Sequence, residues 1–487
     1  MTDTRHAQEP AHWLLQGGHV IDGTGTLRFR ADVRVENGRI SEIGADLELR
    51  GATSVDAAGR IVAPGFIDVH THDDQSVLSS PAMLPKVSQG VTTVVVGNCG
   101  ISLAPLVHPD VPAPLTLLGG SGKHVYPTMR AYAQAVDAAR PAVNVAALVG
   151  HSTLRVATMD DPYGAATPAE QAKMADLMRE AMAAGATGFS SGLFYDTNAA
   201  SDTAEVTLLA RIAAEAGGVY TAHIRDEAKD VIASLDEAFT AARDAGLPLV
   251  ISHHKCAGPA NWGRSVETLA HIDAARRGQP IGLDAYPYVA GSTVLRPDLV
   301  DDVIEVMVTW SEPFPAMSGR LLADIAREWN CSQKEACGRL QPGGASYFQM
   351  REDDVRRVLQ YEATMIGSDG LPHDRHPHPR LWGTFPRVLG HYARELALFP
   401  LEEAVHRMTG LSARRFNLLN RGEIAVGKHA DLVVFDPDLV IDRATYEQPT
   451  LRAGGIENVM VSGTMTYDAR GATGARAGKF LRLGSRS

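Results

Sequence analysis

The sequence is poor in cysteine, has no long apolar run and carries no surplus of basic charge, and each shortage removes a class of function. Four cysteines in 487 residues, Cys99, Cys256, Cys331 and Cys337, are too few for a disulfide scaffold. A reducing cytoplasm with one or more functional thiols fits better. No uninterrupted apolar segment approaches the roughly 18 residues that span a bilayer, so no membrane association is expected. A formal net charge of −11 argues against non-specific nucleic-acid binding, which needs a basic surface. Met1 to His12 are polar and lack the apolar core of a secretory signal, so export is not expected. What is present is an ordinary globular composition, 45% hydrophobic and 21% charged, on a chain long enough for one large α/β barrel plus a smaller domain.

The ends of the chain have the texture of short strands. Asp32 to Glu36, the turn pair Asn37-Gly38 and Arg39 to Ile43 read as a hairpin. Similar runs return at Ala430 to Phe435 and Ile456 to Val461. Residues 10–63 and 418–487 are therefore expected to form one small discontinuous β domain, a β-sandwich. Between them, in residues 64–417, lie eight apolar runs: Phe66 to His72, Val91 to Cys99, Val143 to His151, Ala186 to Gly192, Gly218 to His223, Leu247 to His253, Pro280 to Tyr286 and Ala363 to Asp369. Amphipathic segments such as Pro168 to Gly185, Thr203 to Gly217, Val231 to Gly246 and Ser265 to Arg277 read as helices, three of them followed by a stop glycine. Eight β/α units predict an α/β fold of the (β/α)8 TIM-barrel class, whose active site gathers at the C-terminal ends of the strands. The interval of roughly 75 residues between the seventh and eighth runs is far too long for a simple connection. It is read as an inserted subdomain, residues 288–350, placed to act as a lid over the site.

The polar residues that end these runs carry the chemistry. His70 and His72, spaced i, i+2, share a face if the strand continues through them, and two imidazoles on one face suit a zinc-type ion. Alone, such a pair is as readily a solvated turn. Cys99 ends the second run as a candidate metal thiolate, and His223 ends the fifth as a candidate ligand. Adjacent His253 and His254 cannot both face the axis. Lys255 shares a face with His253, which favours His253 as ligand, Lys255 as a cation for a substrate anion, and His254 as a packing or supporting group. His151 is as plausibly a hydrogen-bonding support as a ligand and is left out. Asp369, ending the eighth run, suits the double task of binding a metal and accepting a proton from its water. Arg380, in the proline-rich loop beyond it, is a candidate bidentate carboxylate clamp.

Together these residues resemble the amidohydrolase superfamily, and within it the N-acyl-D-amino acid deacylases, or D-aminoacylases. The likeness rests on the stretches 65–74, Val96-Gly97-Asn98-Cys99-Gly100, Ser252-His253-His254-Lys255, Asp284-Ala285-Tyr286-Pro287-Tyr288 and 367–374. It implies a binuclear-type site with His70, His72 and Asp369 at one position, His223 and His253 at the other, and Cys99 between. Zinc would be held tightly by Cys99, His223 and His253, and weakly or partly at the second position. The resemblance also implies Tyr195, Lys255, Tyr286, Ser292 and Arg380 as substrate contacts. Many related barrels bridge two metals with a carboxylated lysine on the fourth strand, and residues 185–195 contain no lysine. Ala222 stands before His223 where the family pattern leads one to expect threonine.

The expected reaction is zinc-dependent hydrolysis of N-acyl-D-amino acids to a carboxylate and a free D-amino acid. Asp369 is the catalytic proton carrier, and the partner expected is the small-molecule N-acyl-D-amino acid substrate, with no nucleic acid and no membrane. The stretch 289–295 is mostly small or apolar, which favours neutral, apolar side chains. Arg296 is the nearby residue that would overturn this in favour of N-acyl-D-glutamate or N-acyl-D-aspartate. Cyclic amide hydrolysis is disfavoured by the missing lysine, and a silent interaction protein by the full ligand set. Sequence leaves the acyl preference, the second-site occupancy, the movement of the insertion and the oligomeric state open.

Overall fold

The structure is a computed structural model that describes residues 12–119 and 122–485. Residues 1–11, which include most of the polar N-terminal stretch and the first two positions assigned to the β domain, lie outside the described residues.

Eight parallel strands, β1 (Phe66–Asp68), β2 (Val91–Val96), β3 (Asn144–Gly150), β4 (Gly188–Gly192), β5 (Val219–His223), β6 (Leu249–Ile251), β7 (Ile281–Ala285) and β8 (Thr364–Ile366), pair in sequence order into a nearly closed barrel. All eight fall inside the apolar runs. Their side chains alternate as the pleat demands. Val95, Ala146, Leu148, Val219, Val250 and Met365 pack inside the barrel with Phe416 and Leu418, while Val94, Val96, Ala147, Leu249 and Ile251 pack in the larger core that also holds the helices. The helices start and stop for local reasons. Pro168–Ala183 begins with a capping box between Thr167 and Glu170 and carries Pro168 in its first turn. Val231–Ala245 ends at Gly246 in the left-handed region.

The chain ends build two facing sheets. One is four-stranded and includes Trp13–Gln16, Asp32–Glu36, Arg39–Gly44 and Thr53–Asp56. The other is seven-stranded and joins Ile61–Pro64 to Leu432–Phe435 and Ile456–Val461 from the far end. Val33, Val35, Ile40 and Val55 meet Val62, Leu432, Val434 and Met460 in one core, so both termini contribute to it. The Asn37-Gly38 hairpin forms, with both residues at positive φ. The interval between β7 and β8 holds an antiparallel sheet of Gly291–Val294, Gly343–Tyr347 and Val306–Ser311 with helices Leu322–Glu328 and Gln333–Leu340. The helical sequence pattern over 319–330 overlaps the first of these helices, whereas the sheet and the second helix have no such signal, because the strands are short and proline-flanked.

Candidate metal and active site

The polar residues converge at the C-terminal mouth of the barrel. One ligand atom each from His70, His72, Cys99 and Asp369 lies within 4.8 Å of the others, as do one each from Cys99, His223 and His253. Cys99 Sγ belongs to both sets, 3.1 Å from His70 Nε2 and 3.4 Å from His253 Nε2. His72 Nε2 lies 3.2 Å from Asp369 Oδ1, and His70 Nε2 lies 3.5 Å from the same oxygen.

How these side chains are aimed differs from strand alternation. Only His223 lies within a strand; β1, β2, β6 and β8 end before their functional residues. Cys99 (φ 56°), His253 (φ 36°) and Asp369 (φ 50°) instead sit in the left-handed region. Each such conformation costs of order 1 to 3 kcal/mol and persists where the surroundings over-determine it. Two glycines allow the crowding. Gly97 has φ +80°, and a Cβ there would meet the Leu148 carbonyl oxygen at 2.2 Å; one at Gly367 would meet His70 Cβ at 2.4 Å. His253 therefore faces the site because of a turn, while His254 points away and meets Thr268 Oγ1 at 2.8 Å.

Carboxylates behind the imidazoles set their orientation. Asp284, in β7, lies 3.2 Å from His70 Nδ1, leaving Nε2 toward Cys99. Glu227 Oε1 lies 3.0 Å from His253 Nδ1 and 2.6 Å from Lys255 Nζ, so the Lys255 charge is already matched. Neither carboxylate was assigned a role from sequence. Glu227 stands beside Asp226 in a polar stretch with nothing to tell the two apart. His151 meets Glu205 at 2.7 Å, away from the site, as a supporting group.

The electrostatics suit a cation. Burial opposes ionisation of Cys99, yet the charges of His70 and His253 hold its thiol well below the ordinary range. Burial likewise opposes protonation of His72, but hydrogen bonds to Asp369 and Cys99 raise it to about 9. Both ring nitrogens of buried His223 and Nδ1 of His72 have no hydrogen-bond partner within the protein. The partnerless imidazole of buried His223, grouped with a thiolate and a second imidazole, fits a borderline-soft divalent ion, whose binding releases protons from its ligands.

A cavity of about 360 Å³ opens over this cluster. Tyr195, Lys255, Tyr286 and Ser292 line it, together with Phe194, Leu299, Ile304 and Tyr347, so the insertion forms one wall. The Tyr286 and Ser292 hydroxyls are buried without partners, whereas Tyr195 reaches Thr293 Oγ1 at 3.3 Å. Arg380 is not among the lining residues. Its guanidinium pairs with Asp369 Oδ2 at 2.8 Å, donates to the Ser292 carbonyl at 3.0 Å and stacks over the Tyr286 ring at 4.6 Å.

Comparison with known proteins agrees with this geometry. The model of the family described as "Amidohydrolase family" matches residues 53–268 and 216–467. A D-aminoacylase from Alcaligenes xylosoxydans xylosoxydans is 52% identical over 97% of this chain and 98% of its own. A crystal structure of D-aminoacylase superposes with a TM-score of 0.94 at 51% identity, covering 96% of this chain and 99% of that one. An N-acyl-D-glutamate deacylase from Bordetella bronchiseptica, solved with zinc and a phosphonate mimic of the tetrahedral intermediate, superposes at 0.93 with 50% identity, covering 97% of this chain and 100% of that one. D-hydantoinase, at a TM-score of 0.62 and 16% identity, shares the fold alone. With the barrel, the Cys99-centred donor set and near-full-length identity in agreement, the chain belongs to the amidohydrolase family, in its D-aminoacylase group.

Proposed function

We propose that this hydrolase of N-acyl-D-amino acids works through a zinc-type ion held tightly by Cys99, His223 and His253, with a weaker position at His70, His72 and Asp369. The observation that carries the reading is the single thiolate shared by two buried donor sets, on a barrel whose fourth strand, Gly188–Gly192, has no lysine. A bound ion supplies Lewis acidity and lowers the pKa of water from about 15.7 toward about 7. Asp369 takes the proton from the attacking water and returns it to the departing amine. Tyr286, whose ionisation burial pushes up to about 12, keeps its proton at neutral pH and donates from its unpartnered hydroxyl to the developing oxyanion. Arg380, whose Nε is buried without a hydrogen-bond partner while Nη1 pairs with Asp369, and the Ser292 hydroxyl supply donors for the substrate α-carboxylate. Lys255, its charge matched by Glu227, adds an N–H donor at the same wall, and Tyr195 closes it. Fixing the carboxylate lets one enantiomer alone present its amide, which accounts for D selectivity.

For the side chain, neutral apolar groups are favoured. Phe194, Leu299, Ile304 and Leu371 line the cavity, and Arg296 is engaged by Asp298 at 2.8 Å and by Asp196 at 3.7 Å. A second reading, acidic side chains, is supported by that same Arg296, which stacks over pocket-lining Phe194 at 5.0 Å. Its ion pair with a largely exposed aspartate is worth little and is readily exchanged. Four free cysteines suit a reducing compartment such as the cytoplasm. Chiral product analysis on a panel of N-acetyl-D- and N-acetyl-L-amino acids, with and without chelator, tests the reading. Equal rates on both enantiomers, or full activity without metal, sinks it.

A further inference from the structure

The barrel ladder is interrupted at one seam. β1 pairs with β2 and β8 with β7, while between β1 and β8 the described residues make a single parallel bridge, Thr71 with Gly370, beyond both strand ends. His70 and His72 leave β1, Asp369 leaves β8, and all three must meet across this gap. The backbone adds one anchor, the Asp369 N–H donating to the His70 carbonyl at 2.7 Å.

A buried ammonium supplies the rest. Lys86, on the short helix Leu84–Val87, is 0% exposed. Its Nζ donates to Asp68 Oδ2 at 2.7 Å and to Ser368 Oγ at 2.9 Å, and lies 3.2 Å from Asp73 Oδ2. Two hydrogen bonds to buried acceptors and a second carboxylate at ion-pair distance make a cation tolerable away from water. Asp68 also accepts from the Ser368 N–H at 2.8 Å, and the Ser368 hydroxyl accepts from the Gly370 N–H at 3.2 Å. These contacts flank each metal-facing side chain: Asp68 lies two residues before His70, Asp73 is next to His72, and Ser368 is next to Asp369. Asp369 itself holds a left-handed backbone, and here the peptides on both sides of it are tied down.

We infer that Lys86 is a positioning residue, a buried hub that fixes Asp369 against His70 and His72 across the open seam. It lines no part of the cavity and contributes no atom to either donor set. A misplacement of about 1 Å at a reacting group reaches about 10²-fold in rate, so the hub acts on chemistry as well as on folding. The inference rests on the deacylase reading for the role of Asp369.

Lys86→Met alone leaves two buried carboxylates unpaired and threatens folding. The test therefore uses Lys86→Met/Asp68→Asn/Asp73→Asn, which removes the cation and both carboxylates together, and Ser368→Ala, which keeps the ion pairs and deletes their link to the Asp369 strand. For the best N-acetyl-D-amino acid, kcat in folded Ser368→Ala is expected to fall about 10- to 100-fold with KM little changed. Zinc affinity of the His70, His72 and Asp369 position, titrated against a chelator, is expected to fall about tenfold, while the Cys99, His223 and His253 position keeps its zinc. A Ser368→Ala protein with unchanged kcat and zinc affinity but a lower Tm overturns the inference. A wild-type protein inactive on every N-acyl-D-amino acid overturns the deacylase reading alone, and the zinc titration still decides for or against Lys86.

Discussion

Arg380 places a guanidinium nitrogen 2.8 Å from Asp369 Oδ2, with both side chains buried. One arginine thus faces Asp369, proposed as the proton carrier, the Ser292 carbonyl and the Tyr286 ring at once. The group expected to grip the substrate carboxylate is the same group that tunes the base, so binding and proton transfer are coupled through one side chain.

That coupling has a pH signature. Burial works to raise the Asp369 carboxyl, but Arg380, foremost among the neighbouring cations, holds it well below the usual carboxylate range. Removing Arg380 raises that pKa, so the acid limb of kcat/KM moves to higher pH in Arg380→Met. The loss of charge-assisted hydrogen bonds lowers kcat/KM by about 10- to 100-fold. Arg380→Lys restores charge without the planar fork and is expected to recover little. An acid limb that stays in place in the pH–rate profile of Arg380→Met removes the coupling.

Cys99→Ala deletes the one donor common to both sets. It is expected to strip the tight zinc and abolish turnover, because the thiolate is the softest ligand present. Elemental analysis after dialysis, alongside activity, checks this; full zinc together with full activity makes the shared-thiolate assignment wrong.

Asp369→Ala separates holding the metal from using it. Zinc at Cys99, His223 and His253 is expected to remain, while activity drops by about 10² to 10⁴ for want of a proton acceptor. Near-normal turnover in folded, zinc-loaded Asp369→Ala takes this residue out of the mechanism.

Much of this was legible in the sequence, for identifiable reasons. The barrel strands are buried on both faces and read as continuous apolar runs, and Asn37-Gly38 fixes a hairpin by φ alone. The six residues of the two donor sets were legible because thiol, imidazole and carboxylate at strand ends are conspicuous in an otherwise apolar pattern. Illegible were the residues that act through others. Asp284 and Glu227 orient His70 and His253 across strands distant in sequence, and Lys86 reads as an ordinary helix lysine until the fold closes around it. The orientation argument for His70 and His253 assumed strand alternation, whereas their strands end at Asp68 and Ile251 and turns do the aiming. The matching of Lys255 by Glu227 is a tertiary fact with no local signal.

Side-chain preference turns on Arg296. If its charge stays with Asp298 and Asp196, kcat/KM for N-acetyl-D-leucine exceeds that for N-acetyl-D-glutamate, since burying an unpaired carboxylate is strongly unfavourable. In that case Arg296→Leu changes the leucine rate little. A ratio favouring glutamate, abolished by Arg296→Leu, establishes the acidic reading instead.

Acid stability depends on a cluster outside the two donor sets. Glu205, on the helix Thr203–Glu215, pairs with His151 at 2.7 Å and with Arg155 at 2.5 Å, all three buried. Burial raises the Glu205 carboxyl, but the hydrogen bond and charge of His151, with Arg155, bring it below its usual value. Burial, in turn, lowers His151. Both shifts have the same sign: the unfolded chain binds more protons than the folded one, so stability is full above the unfolded pKa values and is lost as pH falls. The His151 contribution begins to fade below about pH 6.5 and the Glu205 contribution below about pH 4.3. Glu205→Gln leaves the Arg155 guanidinium buried without its counter-charge, at a cost of about 3 to 5 kcal/mol at neutral pH. The same substitution flattens the acid dependence, because the titrating carboxylate is gone. Urea unfolding of wild type and Glu205→Gln from pH 7 down to about pH 2 checks both statements: the difference in stability should hold above about pH 4.3 and shrink below it, and a difference that stays constant down to about pH 2 rules out the linkage.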